Sequence, residues 1–164
     1  FYIEHIVEIL EVVPIETLGG FYITQIKQLQ DRIFERFLSE QGLKISGGQG
    51  RILFVLWKQS PCTISEISKR TSLAKNTVSI MIDTMVAHGI VRRESNPDNR
   101  RQTLITLTDY AVSLQQKYDA VSQRMNVLFY TGFSEAEKDQ FEAYLRRILT
   151  TLRQAEQNQE RNEG

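Results

Sequence analysis

The segment from Ile90 to Thr108 restricts the fold of this chain more than any other. A short apolar run, Ile90-Val91, leads to a tip reading Ser95-Asn96-Pro97-Asp98-Asn99-Arg100-Arg101, and Leu104-Ile105-Thr106-Leu107 returns from it. β-Prone runs on either side of a proline- and asparagine-rich tip predict a hairpin. The rest of the chain reads as helix. An isolated basic hairpin is therefore the element that a plain helical bundle would not contain.

The flanking sequence is organised by helical periodicity and by residues that start and stop helices. Leu18, Tyr22, Ile26, Leu29, Ile33 and Phe37 recur at three- and four-residue steps and predict a helix to about Glu40, stopped at Gly42. Ser46 is the N-cap expected for a helix carrying Ile52, Leu53, Val55, Leu56 and Trp57, apolar around much of its circumference and so the expected centre of the core. Ser60-Pro61 ends it. Thr63-Ile64-Ser65-Glu66 is a capping box opening a short helix to about Arg70. Thr71-Ser72-Leu73 makes a turn, with Ser72 expected to cap a second helix that turns Val78, Ile82 and Met85 inward and closes at His88-Gly89. Two short helices joined in this way have helix-turn-helix proportions, and a basic hairpin directly after them is in the position of a wing.

After Thr108, a good N-cap, Ala111, Leu114, Tyr118, Val121, Met125 and Leu128 repeat like a coiled-coil seam, expected to join two copies of the chain. Thr131-Gly132 interrupts it. Ser134 and Glu137 form a further capping box before a helix with Phe141, Leu145, Ile148 and Leu152 on one face, and the polar residues from Gln154 to Gly164 are expected to fray. Ile3, Ile6, Val7, Ile9 and Leu10 suggest a short amphipathic helix before Pro14, an added dimer arm. The expected fold is mainly α: a winged helix-turn-helix with long N- and C-terminal dimerisation helices and a small β-hairpin wing. It divides into N-terminal dimerisation helices at 1–42, a DNA-binding domain at 43–108, and C-terminal dimerisation helices with a polar tail at 109–164.

Charge is distributed to match. The 164 residues sum to a net charge of zero, which argues against a generic polyanion binder. From Lys69 to Thr103, however, seven basic residues face three acidic ones, whereas the first forty-one residues carry seven acidic against three basic. A cationic head on an acidic scaffold is the pattern expected of a nucleic-acid reader. No apolar run is long enough to span a bilayer, and the Phe1-Tyr2-Ile3 start has no secretory pattern, so no membrane is expected and a cytoplasmic location is. An enzyme needs a nucleophile, a base or a metal set, and the histidines are only His5 and His88, with one cysteine, Cys62. No catalytic residue, metal or cofactor is expected. His88 suits the end of a helix, and Cys62 is either a small residue beside Pro61 or an oxidant sensor.

The second helix of the pair presents Lys75, Asn76, Thr77 and Ser79 near its start, side chains suited to guanine or phosphate, to adenine, and to thymine. Alternation along the strand sends Arg100 and Arg101 to opposite faces of the wing, so one is expected in a minor groove and the other on phosphate or as a brace. Arg92 and Arg93 at the wing base are phosphate candidates. Phe34, Phe37, Phe54 and Trp57 are the candidate walls of a pocket where the first helices meet the head.

The leading helix, the capped pair, Gly89-Ile90-Val91, the Asn96 to Arg101 wing and Leu107-Thr108 before two long helices together resemble the MarR family of bacterial transcription regulators. The likeness covers roughly Ile15 to Leu152. It implies a homodimer on double-stranded DNA, released by a small, often phenolic or amphipathic effector. It places Lys75, Asn76, Thr77, Ser79 and Ile80 on the recognition helix and Arg101 as the wing arginine; Ser72 before that helix and Arg93, Asp98, Asn99 and Arg100 on the wing complete the candidate DNA-binding residues. Two departures follow. Asn99 stands where the family usually has the aspartate that braces the wing arginine, leaving a neutral hydrogen bond to Arg101 and an Asp98 to Arg100 pairing as substitutes. Ile80 stands where many relatives carry arginine. The other reading is a winged-helix protein-interaction module without an operator, separable by salt dependence.

Overall fold

The computed structural model of the chain describes residues 17–162. Its elements in order are α1 (Gly19–Glu40), α2 (Gly47–Lys58), α3 (Ile64–Thr71), α4 (Lys75–Ala87), β1 (Val91–Asn96), β2 (Asn99–Leu107), α5 (Asp109–Phe129) and α6 (Glu135–Asn162). This is the expected mainly helical fold with one antiparallel hairpin. The expected helix over Ile3 to Leu10, with His5, lies outside the described residues. Two compact units result, one ending at Ser122 and the other beginning at Gln123, so the boundary falls inside α5. No helix among the described residues is long and apolar enough to cross a membrane.

The core of the first unit is built around α2. Ser46 starts that helix with a full capping box: its Oγ accepts from Gln49 N at 3.2 Å while Gln49 Oε1 accepts from Ser46 N at 3.0 Å. Ile52, Leu53 and Leu56 are then fully buried, as are Leu38 of α1, Ile67 of α3, Val78, Ile82 and Met85 of α4, and Ile90, Val91 and Ile105 around the hairpin. Each such side chain contributes about 1.5–3 kcal/mol relative to exposure, the main term opposing the entropy of ordering the chain. Cys62 joins this core between α2 and α3. Its main chain pairs with that of Ile105 in both directions, N–H to carbonyl, at 3.1 and 2.7 Å, so the hairpin is tied to the helices by backbone as well as by packing.

The α3 helix begins at the expected capping box, in which Thr63 N donates to Glu66 Oε2 at 2.7 Å and Glu66 N donates to Thr63 Oγ1 at 3.2 Å. Those hydrogen bonds favour the ionised carboxylate and hold Glu66 below its ordinary range. A depressed folded value means that the stabilisation is complete above the ordinary carboxylate range and is lost as pH falls through the lowered one. Thr63→Ala is expected to cost about 1 kcal/mol at neutral pH. Denaturation curves taken between pH 7 and pH 2 should show the acid-side loss shrinking in that variant.

The turn into α4 departs from expectation. Ser72 does not cap α4; it is the left-handed residue that ends α3, with φ of 56°. An N-cap needs an extended backbone, and the position before α4 is Ala74, which has no side chain able to accept. The turn is held instead by Ser68 Oγ, which donates to Leu73 O at 2.6 Å, and by Thr71 Oγ1, which accepts from Leu73 N at 3.3 Å.

The expected intermolecular seam of α5 is also corrected. Ala111, Leu114, Tyr118, Val121 and Met125 are buried within the single chain, and of that series only Leu128 is exposed. Tyr118 shows why. Its ring lies 5.0 Å from that of Trp57 and 5.6 Å from that of Phe34, and a Cβ on Gly50 would stand 2.6 Å from it, so α5 closes on α2 at a position only glycine allows. The seam is internal packing. The apolar stripes left open are on α1, where Phe21 is 58% exposed and Tyr22 and Leu29 are similar, and on α6, where Leu152 is 62% exposed beside Tyr144 and Ile148.

In the second unit, Gly132 takes φ of 87° to end the connection after α5, and the expected Ser134–Glu137 capping box starts α6. Phe129, Tyr130, Phe133 and Phe141 pack as a cluster of tilted and edge-on rings around this turn. The α6 helix continues to Asn162 rather than fraying from Gln154, because Gln, Glu, Arg and Ala there are good helix formers and no breaker intervenes.

Candidate nucleic-acid interface

α4 is anchored through one face. Val78, Ile82 and Met85 have no exposure at all, which turns Lys75, Asn76, Ile80, Asp83 and Thr84 outward and leaves Thr77 and Ser79 half-buried at the edges. Among the described residues neither the Lys75 ammonium nor the Asn76 carboxamide has a hydrogen-bonding or ionic partner. Their donors and acceptor are available to a ligand. Ser72 belongs to the turn before the helix.

The wing is a hairpin with Val91 opposite Leu107, Arg93 opposite Ile105, and a register shift between Ser95 and Asn96. Asn96 organises its tip. Its Oδ1 accepts from Asp98 N at 3.0 Å, an Asx turn suited to the residue before proline, while its Nδ2 donates to Gln102 Oε1 at 2.6 Å. Asn99 Oδ1 accepts from the main-chain N–H of Arg101 at 3.2 Å, where a hydrogen bond to the guanidinium was expected. A side chain this short reaches its own backbone two residues on more readily than it reaches the end of an arginine. Arg100 and Arg101 are exposed, as successive strand residues on opposite faces, and among the described residues neither they nor Asp98 form an ion pair.

The base of the wing is braced to α4. Arg93 Nη2 donates to Asp83 Oδ1 at 2.6 Å, so this guanidinium joins strand to helix. The pair is partly exposed and contributes up to about 1 kcal/mol; its main effect is on orientation. Thr108 completes the junction. Its hydroxyl lies 2.7 Å from Gly89 O and 3.0 Å from Ile90 O and accepts from Ala111 N at 3.2 Å, linking the end of α4, the wing base and the start of α5. Asp83 and Gln102 are site-shaping residues that the sequence reading did not single out, and neither had a local signal; Asn96 was legible as the asparagine directly before proline in the tip.

The four expected pocket residues sit in different surroundings. Phe34 and Trp57 pack on Tyr118, Trp57 Nε1 donates to Ala111 O at 3.0 Å, Phe37 is buried, and Phe54 faces outward under Lys58 Nζ at 4.1 Å. An open cleft of about 680 Å³ lies at the wing base, lined by Val86, Val91, Arg92, Arg93, Thr108 and Tyr110. Burial pushes the Cys62 thiol up, against the smaller opposing effect of Arg70, and its Sγ donates to Gln59 O at 2.7 Å. Such a thiol is a poor nucleophile at neutral pH, which favours the packing role over oxidant sensing. Among the described residues no three His, Cys, Asp or Glu side chains gather as a metal ion would require.

This architecture matches known proteins. A family model described as the MarR family matches residues 45–103, the stretch from the start of α2 into the wing. The multiple antibiotic resistance protein MarR of Escherichia coli K12 is 26% identical over 140 residues, covering 85% of this chain and 93% of that protein. A crystal structure of a cysteine mutant of E. coli MarR with operator DNA aligns with a TM-score of 0.73 at 26% identity, over 85% of this chain and 96% of that one. BpsR of Bordetella bronchiseptica, described as regulated in its DNA binding by 6-hydroxynicotinic acid, shares the fold with a TM-score of 0.75 at 21% identity, over 83% and 96% of the two chains.

Proposed function

We propose that this chain is a member of the MarR family and, on that premise, a sequence-specific DNA-binding transcription regulator, a repressor that binds a pseudo-palindromic operator as a homodimer. The observation that carries the reading is the pairing of two unpartnered polar surfaces, Lys75 and Asn76 on α4 and Arg100 and Arg101 on the wing, within a fold that matches operator-bound MarR. The start of α4 would meet base edges in the major groove, and the wing tip would reach the flanking minor groove or its phosphates. Thr77, Ser79 and Ser72 flank the base-reading face; Asp98 and Asn99 shape the tip. The relatives that carry this architecture are regulators, not enzymes, and a cytoplasmic location fits that role.

Selection of bound duplexes from random DNA at two salt concentrations tests this. The expected product is an inverted repeat with half-site centres about 34–36 Å apart and an affinity that falls steeply with salt. Tight binding to no motif, with little salt dependence, would favour the protein-interaction module.

The division of labour proposed along the chain is dimerisation at 1–42 and 109–164 and DNA reading at 43–108. Dimerisation is assigned to the exposed stripes of α1 and α6, not to the α5 seam. Phe21→Glu together with Leu152→Glu should give a folded monomer by sedimentation, with operator affinity lost by more than tenfold because the second head is gone. Leu114→Glu should unfold the chain instead, since it places a charge in the core. A small amphipathic effector is proposed as the releasing signal. It would have to bind the released conformation more tightly than the DNA-competent one, and titration of 6-hydroxynicotinic acid and simple phenolic acids against the operator complex is the direct assay.

A further inference from the structure

Ile80 is 67% exposed at the centre of the outward face of α4. It takes no part in the core, because Val78, Ile82 and Met85 supply all the anchoring and are fully buried. Asn76 lies one turn before it and Thr84 one turn after, both exposed. Thr84 turns its hydroxyl back to donate to Ile80 O at 3.2 Å, so the polar group beside Ile80 is already engaged with the helix backbone. The result is an aliphatic knob in the middle of a polar base-reading surface.

We propose that Ile80 reads the C5-methyl group of a thymine in the major groove, and that this contact sets one base of each half-site. The inference rests on the DNA-binding reading above. Thymine is the base that presents a methyl group in that groove, and an apolar side chain is its complement. Ile80 is well suited to this contact because β-branching leaves one strongly preferred rotamer in a helix, so little side-chain entropy is lost on contact. Helix geometry also fixes its relation to Asn76. Side chains four residues apart stand about 5–6 Å from one another, and base pairs rise by about 3.4 Å, so the two residues address bases one or two steps apart. An adenine under Asn76 and a thymine under Ile80 at that separation is the expected half-site core. Arginine at this position would instead favour guanine or phosphate.

The test uses the full-length protein and its selected operator, with each thymine replaced in turn by deoxyuridine, which removes only the methyl group. One symmetric pair of positions should lose affinity, by about fourfold for each half-site and about fifteenfold for both, the value of one buried methyl group. Replacing that T·A pair by C·G should weaken binding, and 5-methylcytosine at the same place should recover part of the loss. Ile80→Ala should bind the deoxyuridine and thymine operators equally, and Ile80→Val should keep most of the preference. A deoxyuridine scan that is flat with tight wild-type binding would overturn the methyl contact while leaving DNA reading intact. A methyl preference that persists in Ile80→Ala would move the contact to another residue. Failure to select any sequence would overturn the underlying DNA-binding reading and this inference with it.

Discussion

Tyr118→Ala is expected to cost about 3–5 kcal/mol of folding stability, a large part of the roughly 5–15 kcal/mol that a domain of ordinary stability possesses. The ring is 5% exposed and is held between Trp57 and Phe34 at centroid distances of 5.0 and 5.6 Å. Removing it deletes the apolar transfer term and both aromatic contacts, and leaves a void between α1, α2 and α5 that the indole, fixed by its hydrogen bond to Ala111 O, does not collapse to fill. Chemical denaturation measures the loss. Tyr118→Phe, which retains the ring, should cost far less. The reverse change has its own signature: Gly50→Ala puts a methyl group 2.6 Å from the Tyr118 ring and should cost about 1–3 kcal/mol through overpacking. Because both changes act on the same space, Gly50→Ala should be much less harmful in a Tyr118→Ala background, and a strictly additive double mutant would show that the contact is not what limits stability.

The second large effect is on DNA. Arg101→Ala is expected to lose about 1–3 kcal/mol per half-site, and in a dimer the loss is taken twice, roughly 2–6 kcal/mol of operator affinity. Arg100 and Arg101 point to opposite faces of β2, so single substitutions separate their roles. The arginine that enters the minor groove should lose affinity mainly on operators with A·T-rich flanks, where the groove is narrow. The arginine on phosphate should weaken all sequences alike and reduce the salt slope by about one for each contact. Titrations at several salt concentrations on A·T-flanked and G·C-flanked operators read both. Unchanged affinity and slope on both operators would remove Arg101 from the interface. Arg93→Ala should have a smaller effect, because its guanidinium is already engaged with Asp83.

Much of the candidate site was legible because its determinants are local. The hairpin follows from β-prone runs around Asn96-Pro97. The capping boxes at Thr63 and Ser134 join residues three apart, and the stops at Gly42, Gly89 and Gly132 rest on a positive φ that glycine adopts without strain. None of these needs information from elsewhere in the chain. The exposed face of α4 was equally legible, since burying Val78, Ile82 and Met85 dictates which residues turn outward.

What failed did so where the competing outcomes share one local pattern. Ser72 has an ordinary N-cap side chain, but the turn after α3 required a left-handed residue at that position. Asn99 satisfies the backbone rather than the guanidinium, a competition between partners at similar reach. Arg93 finds Asp83 across the junction of wing and helix, a partner that spacing alone does not identify.

By itself, the sequence determined that this chain makes a pair of short helices, the first opened by a capping box, followed by a basic wing, and that Lys75, Asn76, Ile80, Arg100 and Arg101 carry its exposed chemistry. The Ile90 to Thr108 segment was sufficient for that, because hairpin turns, caps and helix faces are set by interactions within a few residues. Only the tertiary structure decided which apolar stripes this chain buries within itself. The α1 and α5 stripes repeat with the same three- and four-residue steps, and periodicity reports that a face is apolar without saying what covers it. Burial of Tyr118 against Gly50 assigned the α5 stripe to the internal core and left those of α1 and α6 open, because close packing admits one neighbour at each face and the α2 backbone approaches α5 where no side chain intervenes.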